Sequence, residues 1–343
     1  LDTFQLGNGF EERAFSFNRS TITTFKVVVF WVINKRMLVK KGEIRKLPKE
    51  GLGSGEVAFE LKQKCWIARP DPRKGVAFVL SGGGNYGALQ AGALEVLLER
   101  GIYPDLLVGT SAGALNAVFL AVDPTLAQAR TLSRIWSTIK PEEVGFSHPL
   151  VVVRRLVQRK PSFYDSRPLA QFIERHLPAG IRAFGDLKVP AYTVAVRFSD
   201  GTLRVFGDSP DDLLLDGMIS SSAIPPYYPP WPVNGELYVD GGAVSNLPLK
   251  VAVERGAREV YTLTVDEGAK PRENLDMIGI VWRTISFMLA RQMEQELEEV
   301  RASGIPVHLI SLSPKGLPFF DFEHGGELVA LGKAQAQEAL DAL

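Results

Sequence analysis

Residues 106–120 read Leu-Leu-Val-Gly-Thr-Ser-Ala-Gly-Ala-Leu-Asn-Ala-Val-Phe-Leu, and few folds can hold such a stretch. Leu106-Leu107-Val108 is an apolar strand and Ala114 to Leu120 an apolar helix. Between them Gly109-Thr110-Ser111-Ala112-Gly113 leaves room only for a very tight turn. A strand-to-helix turn of this kind needs small neighbours about its apex. It stands the Ser111 hydroxyl at the mouth of a sheet, facing the positive end of a helix. A bare Gly-x-Ser-x-Gly also occurs as an ordinary Gly-rich turn; the strand before it and the helix after it are what point to a nucleophile.

The preceding residues extend the same unit. Val76-Ala77-Phe78-Val79-Leu80 is continuously apolar, as expected of a strand buried on both faces. Ser81-Gly82-Gly83-Gly84 follows as a turn. Ala88 to Arg100 reads as a helix with Leu89, Ala93, Val96 and Leu97 on one face and Gly101 as its stop. Strand, helix, strand, helix is the right-handed βαβ opening of a parallel sheet, so the fold class is α/β. Downstream, Tyr192–Val196 and Leu203–Phe206 read as strands joined at Ser199-Asp200-Gly201. Leu237–Val239, Val260–Val265 and Val307–Ile310 are further strands. Met277 to Arg301 reads as a long helix striped by Ile278, Val281, Ile285, Met288, Leu289 and Leu297, a face suited to the sheet or to a lipid surface.

The chain of 343 residues fits one large α/β domain with additions, or two modest domains. Cys65 is its only cysteine, which excludes an intramolecular disulfide and a cysteine-based metal site and fits a reducing compartment. The net charge is zero but unevenly spread. Residues 1–74 carry 15 Lys/Arg against 8 Asp/Glu, leaving 24 against 31 for the rest. Residues 1–74 therefore read as a basic extension and linker, either solvated or facing anionic lipid, ahead of a domain at 75–343. The apolar run Val27–Ile33 falls well short of the roughly 20 residues a spanning helix needs, and it has no signal-peptide layout. A cytoplasmic location with peripheral membrane contact is the expectation, with no role in binding nucleic acid.

A serine hydroxyl needs a base within reach and donors for the oxyanion that forms when it attacks a carbonyl. Gly82, Gly83 and Gly84 end the first strand, and their N–H groups can converge on a small anion. Adjacent parallel strands deliver their C-terminal turns to one edge, so this loop and Ser111 should be neighbours. Asp240 also ends a strand, and Gly241-Gly242 behind it leave the carboxylate uncrowded.

Together these residues resemble the patatin-like lipid acyl hydrolases. Ser81-Gly82-Gly83-Gly84-Asn85-Tyr86-Gly87 is similar to the family's oxyanion loop, Gly109–Gly113 to its nucleophile elbow, and Asp240-Gly241-Gly242 to its Asp-Gly-Gly/Ala element. Ser222-Ala223-Ile224-Pro225, Tyr228-Pro229-Pro230 and Asn246-Leu247-Pro248 add to the likeness, which covers a motif core at 75–250, with C-terminal helices and a strand at 251–343. The resemblance implies a three-layer α/β/α fold with a central, mostly parallel sheet, and a Ser–Asp dyad without histidine. It implies Ser111 as nucleophile, Asp240 as base, and an oxyanion hole from the amides of Gly82, Gly83, Gly84 and Ala112. The substrate implied is a lipid or simple ester, with no cofactor and no metal; protein partners are not specified. An ordinary aspartate makes a poor base, so Asp240 would need a desolvated setting.

One residue departs from the family pattern. Arg or Lys is usual where Tyr86 stands, and a neutral phenol there favours simple esters and neutral lipids over phospholipids. Two other chemistries compete. An α/β-hydrolase triad could recruit His308 or His324 after Ser111 and Asp240. Gly82–Gly87 also satisfies the dinucleotide pattern Gly-x-Gly-x-x-Gly, although the second strand ends in Gly109-Thr110-Ser111 with no acid for a ribose. A non-catalytic membrane scaffold is a third reading, which the intact serine and aspartate disfavour. Tyr227, Tyr228 and Trp231 among prolines suggest a rigid wall of an acyl pocket, and Ser220–Ser222 suggest small hydrogen-bonding packing.

Overall fold

A computed structural model describes residues 75–146, 148–265, 277–319 and 321–343. The basic extension and linker at 1–74, with Val27–Ile33, lie outside the described residues, as does the side chain of Ile278. The strands are β1 (Val76–Leu80), β2 (Leu106–Thr110), β3 (Ala191–Arg197), β4 (Leu203–Phe206), β5 (Trp231–Val233), β6 (Glu236–Asp240), β7 (Glu259–Val265) and β8 (Val307–Leu312). They form one sheet in the order β5-β6-β3-β2-β1-β7-β8, with β4 paired to β3. β8, β7, β1, β2 and β3 run parallel, whereas β4 and β6 are antiparallel to β3.

The continuous apolar run of β1 is explained by two layers of helix. Phe78 and Leu80 enter one core together with helices α1 (Gly87–Glu99), α2 (Ala112–Val122) and α3 (Leu126–Thr138). Ala77 and Val79 enter the core on the opposite face, against α7 (Leu249–Glu254) and the C-terminal half of α8 (Met277–Ala302). Alternate side chains of a strand point to opposite faces, so a strand covered on both must be apolar throughout. The result is the expected α/β/α sandwich. α5 (Arg167–His176) and α6 (Leu214–Ser222) complete the first layer through Leu169, Ile173, Met218 and Ile219, and α4 (Pro149–Val157) precedes them in the chain.

The last helix, α9 (Gly325–Asp341), lies against α1 at glycines on both sides. A Cβ on Gly92 would stand 2.1 Å from the carbonyl oxygen of Val329, and one on Gly332 would stand 2.0 Å from that of Leu89. The two backbones touch where no side chain fits between them. Beside this crossing, the buried carboxylate of Glu95 meets Lys333 Nζ at 2.7 Å. β8 and α9 are thus built into the same sheet and helical layer as the motif core.

The long helix read at Met277–Arg301 forms, but only part of its stripe packs. Met293, Leu297 and Val300 join the core, while Val281, Phe287 and Met288 are exposed. Among the described residues no helix is long and apolar enough to cross a membrane.

Candidate active site

β2 lies beside β1 with Gly109 opposite Leu80, so the Gly-rich loop after β1 and the elbow after β2 emerge side by side. Ser111 takes φ 55° and ψ −124°, a left-handed conformation that strains any residue with a Cβ and is held only by its surroundings. The flanking glycines make the turn possible. A Cβ on Gly109 would fall 2.2 Å from the Gly113 carbonyl oxygen, and one on Gly113 would fall 2.4 Å from that of Leu80. The elbow is pinned from the side by α6, whose Ser221 Oγ accepts from the Ser111 N–H at 2.9 Å. Thr110 Oγ1 donates to the Ser245 carbonyl at 2.9 Å.

Asp240 is the last residue of β6 and is 5% exposed. Its Oδ1 accepts the N–H of Gly242 at 2.8 Å. Its Oδ2 is buried with no hydrogen-bond partner among the described residues, and the Ser111 side chain lowers the proton affinity of the carboxyl. Burial dominates, however, and pushes the carboxyl up to about 6 from an ordinary 3.8, against the Gly242 amide and Ser111. Gly241 lets the chain leave Asp240 across the sheet, because a Cβ there would lie 2.3 Å from the Val194 carbonyl oxygen.

The glycine loop is close to both. A Cβ on Gly82 would stand 3.3 Å from Ser111 Cβ. Among the four residues expected to supply oxyanion donors, Gly82 is corrected: its N–H is spent on the Asn246 carbonyl at 3.1 Å. The N–H groups of Gly83, Gly84 and Ala112 have no acceptor among the described residues. Ala112 opens α2, so its amide also carries the positive end of that helix.

Two residues not among the expected site residues hold this geometry. Asn246 Oδ1 lies between Gly82 and Gly242, while its N–H donates to Gln292 Oε1 at 2.7 Å. Glu296 on α8 is buried and accepts from Ser245 Oγ at 2.5 Å and from the Leu249 N–H at 3.0 Å. Burial pushes its carboxyl up, opposed by the Ser245 hydroxyl. Nothing local in the sequence marks a glutamate within a charged helical run as buried.

Under the elbow is an apolar cavity of about 80 Å³, walled by Leu115, Phe119, Trp136, Val144, Phe146 and Tyr228 and reached by Ser111 and Ala112. Its polar floor is satisfied: Trp136 Nε1 donates to Asn116 Oδ1 at 2.7 Å, and Asn116 Nδ2 donates to Gln90 Oε1 at 3.0 Å. Ser222 Oγ borders the cavity without a hydrogen-bond partner among the described residues. Of the aromatic wall expected from residues 227–231, only Tyr228 lines the cavity. Tyr227 stands behind it on Phe163 and Tyr164, and Trp231 donates to Asp216 at 2.9 Å.

Tyr86 does not occupy the role its position suggested. It is buried, its hydroxyl donates to the Leu317 carbonyl at 2.7 Å, and its ring meets Phe319 edge-on. Asn85 Nδ2 donates to the carbonyls of Pro318 and Asp321, so Leu317, Pro318, Phe319 and Asp321 clasp the loop from outside. A phenol used in this way carries no argument about headgroup charge.

No histidine joins Ser111 or Asp240. His308 Nε2 meets Glu259 at 2.9 Å, His324 Nδ1 meets Asp321 at 2.7 Å, His176 Nδ1 meets the Phe172 carbonyl at 2.8 Å, and His148 caps α4. The triad reading therefore has no residue to carry it.

A family described as patatin-like phospholipase matches residues 78–253, just over half of the chain. Mouse patatin-like phospholipase domain-containing protein 7 is 27% identical over 215 residues, covering 62% of this chain and 15% of the mouse protein. The protein YqhO of Bacillus subtilis (strain 168) is 30% identical over 232 residues, covering 60% of this chain and 79% of its own. The chain thus spans only a small part of the length of the mammalian relatives it matches. Among solved structures, VipD from Legionella pneumophila aligns with a TM-score of 0.46 at 16% identity, covering 78% of this chain and 67% of VipD.

Proposed function

This chain belongs to the patatin-like phospholipase family, and from that premise we propose that it is a lipolytic serine acyl hydrolase working through Ser111 and Asp240. One observation carries the reading: the Asp240 carboxyl is buried with Oδ2 unpaired among the described residues, and its proton affinity is lowered by the side chain of a strained serine that lines an apolar cavity. A carboxylate with a pKa near 6 is a far better base than an exposed aspartate and is still ionised at neutral pH.

The steps balance with these groups alone. Ser111 Oγ attacks the ester carbonyl carbon while its proton passes to Asp240. The oxyanion is received by the N–H groups of Gly83, Gly84 and Ala112. The tetrahedral intermediate expels the alcohol, which takes the proton from Asp240 and leaves an acyl-Ser111. Water then attacks the acyl carbon, gives a proton to Asp240, and the collapse releases the fatty acid as that proton returns to Ser111. The carbonyl end of the acyl chain enters the cavity between Phe119 and Tyr228, whose apolar walls favour an alkyl group over a polar one. Residues 75–343 act as one catalytic domain with its motif core at 75–250, on a lipid ester substrate at a membrane surface.

A fluorophosphonate label followed by peptide mapping tests the assignment. The adduct is expected on Ser111; an adduct elsewhere, or none on a preparation that hydrolyses esters, removes it. A chain-length series of p-nitrophenyl esters beside a phospholipid panel then defines the substrate.

A further inference from the structure

α4 turns its apolar face the wrong way for a helix of a globular protein. It has no buried residue. Leu150, Val153, Leu156 and Val157 fall on one helical face by their spacing, and all are exposed, Leu150 at 70% and Val157 at 65%. The opposite side, with Val152 and Arg155, is the half-buried one, and Arg155 is tied to Ser162 by two hydrogen bonds. Contiguous apolar surface of this kind marks an interaction site.

Its surroundings specify the partner. Arg154, Arg159 and Lys160 are exposed, and none makes an ion pair or hydrogen bond through its side chain among the described residues. Unpaired cations beside an outward apolar face match an anionic lipid surface, with the apolar side chains entering the acyl boundary and the cations meeting headgroups. The segments that flank the helix adjoin the cavity, one by lining it and the other by packing on a residue that does. Val144 and Phe146 line the cavity just before α4; after it, Tyr164 packs on Phe146 at 4.7 Å and its N–H donates to the Tyr227 carbonyl. We propose that α4 docks on an anionic bilayer and so sets the cavity mouth against the membrane. The inference rests on the lipolytic reading for why a membrane is the occupant.

The test is co-sedimentation of the full chain with phosphatidylcholine vesicles with and without phosphatidylglycerol, read without turnover. Wild type should pellet with the anionic vesicles. Leu150→Glu with Leu156→Glu should lower that affinity about tenfold or more. Neutralising Arg154, Arg159 and Lys160 to Gln should weaken it roughly fivefold per residue and erase the preference for phosphatidylglycerol. All variants should hydrolyse a soluble monomeric ester at the wild-type rate, which certifies their folding. Absence of wild-type binding, or equal binding by wild type and the glutamate variant, overturns the proposal. So does a shift from dimer to monomer in the glutamate variant with vesicle binding intact, which would assign the face to a second copy. An inactive enzyme that still binds through α4 would sink the catalytic reading and leave the docking surface standing.

Discussion

Thr110 and Asp240 pair with successive residues of β3, Val194 and Ala195. β2 is parallel to β3 and β6 is antiparallel to it, so two strands running toward each other end head-on along one edge, while β4 lines the other. Ser111 and Asp240 are delivered to a single point by backbone pairing rather than by flexible loops. A site built on strand ends holds its geometry with little entropy to lose.

Asp240→Asn should abolish most ester hydrolysis, by roughly 10²–10⁴-fold, because the amide keeps the shape but cannot take a proton. In the wild type the rate at low substrate should fall as pH drops through about 6, with a slope of one, as Asp240 becomes protonated. A pH profile with its acid limb near 4 would argue that another group is the base.

The same substitution should stabilise the protein at alkaline pH. The folded pKa of about 6 exceeds the unfolded value near 3.9, so between them the native state holds a proton the unfolded chain releases. This group's contribution is fully present below the unfolded value and lost as pH rises through about 6, on the order of 3 kcal/mol. The Tm gain of Asp240→Asn should be clear at pH 8 and nearly absent at pH 4, measured by calorimetry.

Ser221→Ala should leave the Ser111 N–H without its acceptor. The expected cost is about 1–3 kcal/mol of stability, with kcat reduced while KM changes little, since the elbow moves and the cavity does not. Stopped assays with a soluble ester resolve the two constants.

Tyr86→Phe removes the hydrogen bond to the Leu317 carbonyl. Stability should fall by about 1 kcal/mol while the order of preference among lipid headgroups stays the same. A changed order would return Tyr86 to the substrate side of the loop.

Gly332→Ala should destabilise by several kcal/mol, as expected of overpacking against backbone, because its Cβ would meet the Leu89 carbonyl at 2.0 Å. Denaturant unfolding of this variant tests whether α9 is integral to the domain; a midpoint equal to wild type would show that it peels away without cost.

Much of this architecture was legible because it is written in local patterns. The apolar run at 76–80, the glycine turn and the Gly109–Gly113 elbow each reflect a constraint that neighbours in sequence impose on one another. Their side-by-side placement follows from parallel pairing. Asp240 was legible by its glycines but not by its strand direction, since nothing local tells β6 to run antiparallel.

Sequence by itself determined the βαβ start, the tight turn at Ser111 and an aspartate at a strand end before two glycines, because strand, turn and helix preferences are short-range. Tertiary structure alone decided which donors are free. Gly82 looks like Gly83 in the sequence, yet Asn246, far along the chain, takes its N–H. It likewise decided that Tyr86 faces inward, that Glu296 is buried, and that α4 shows its apolar face to the outside. Each of these depends on which distant residue arrives alongside, and that is fixed by packing rather than by propensity.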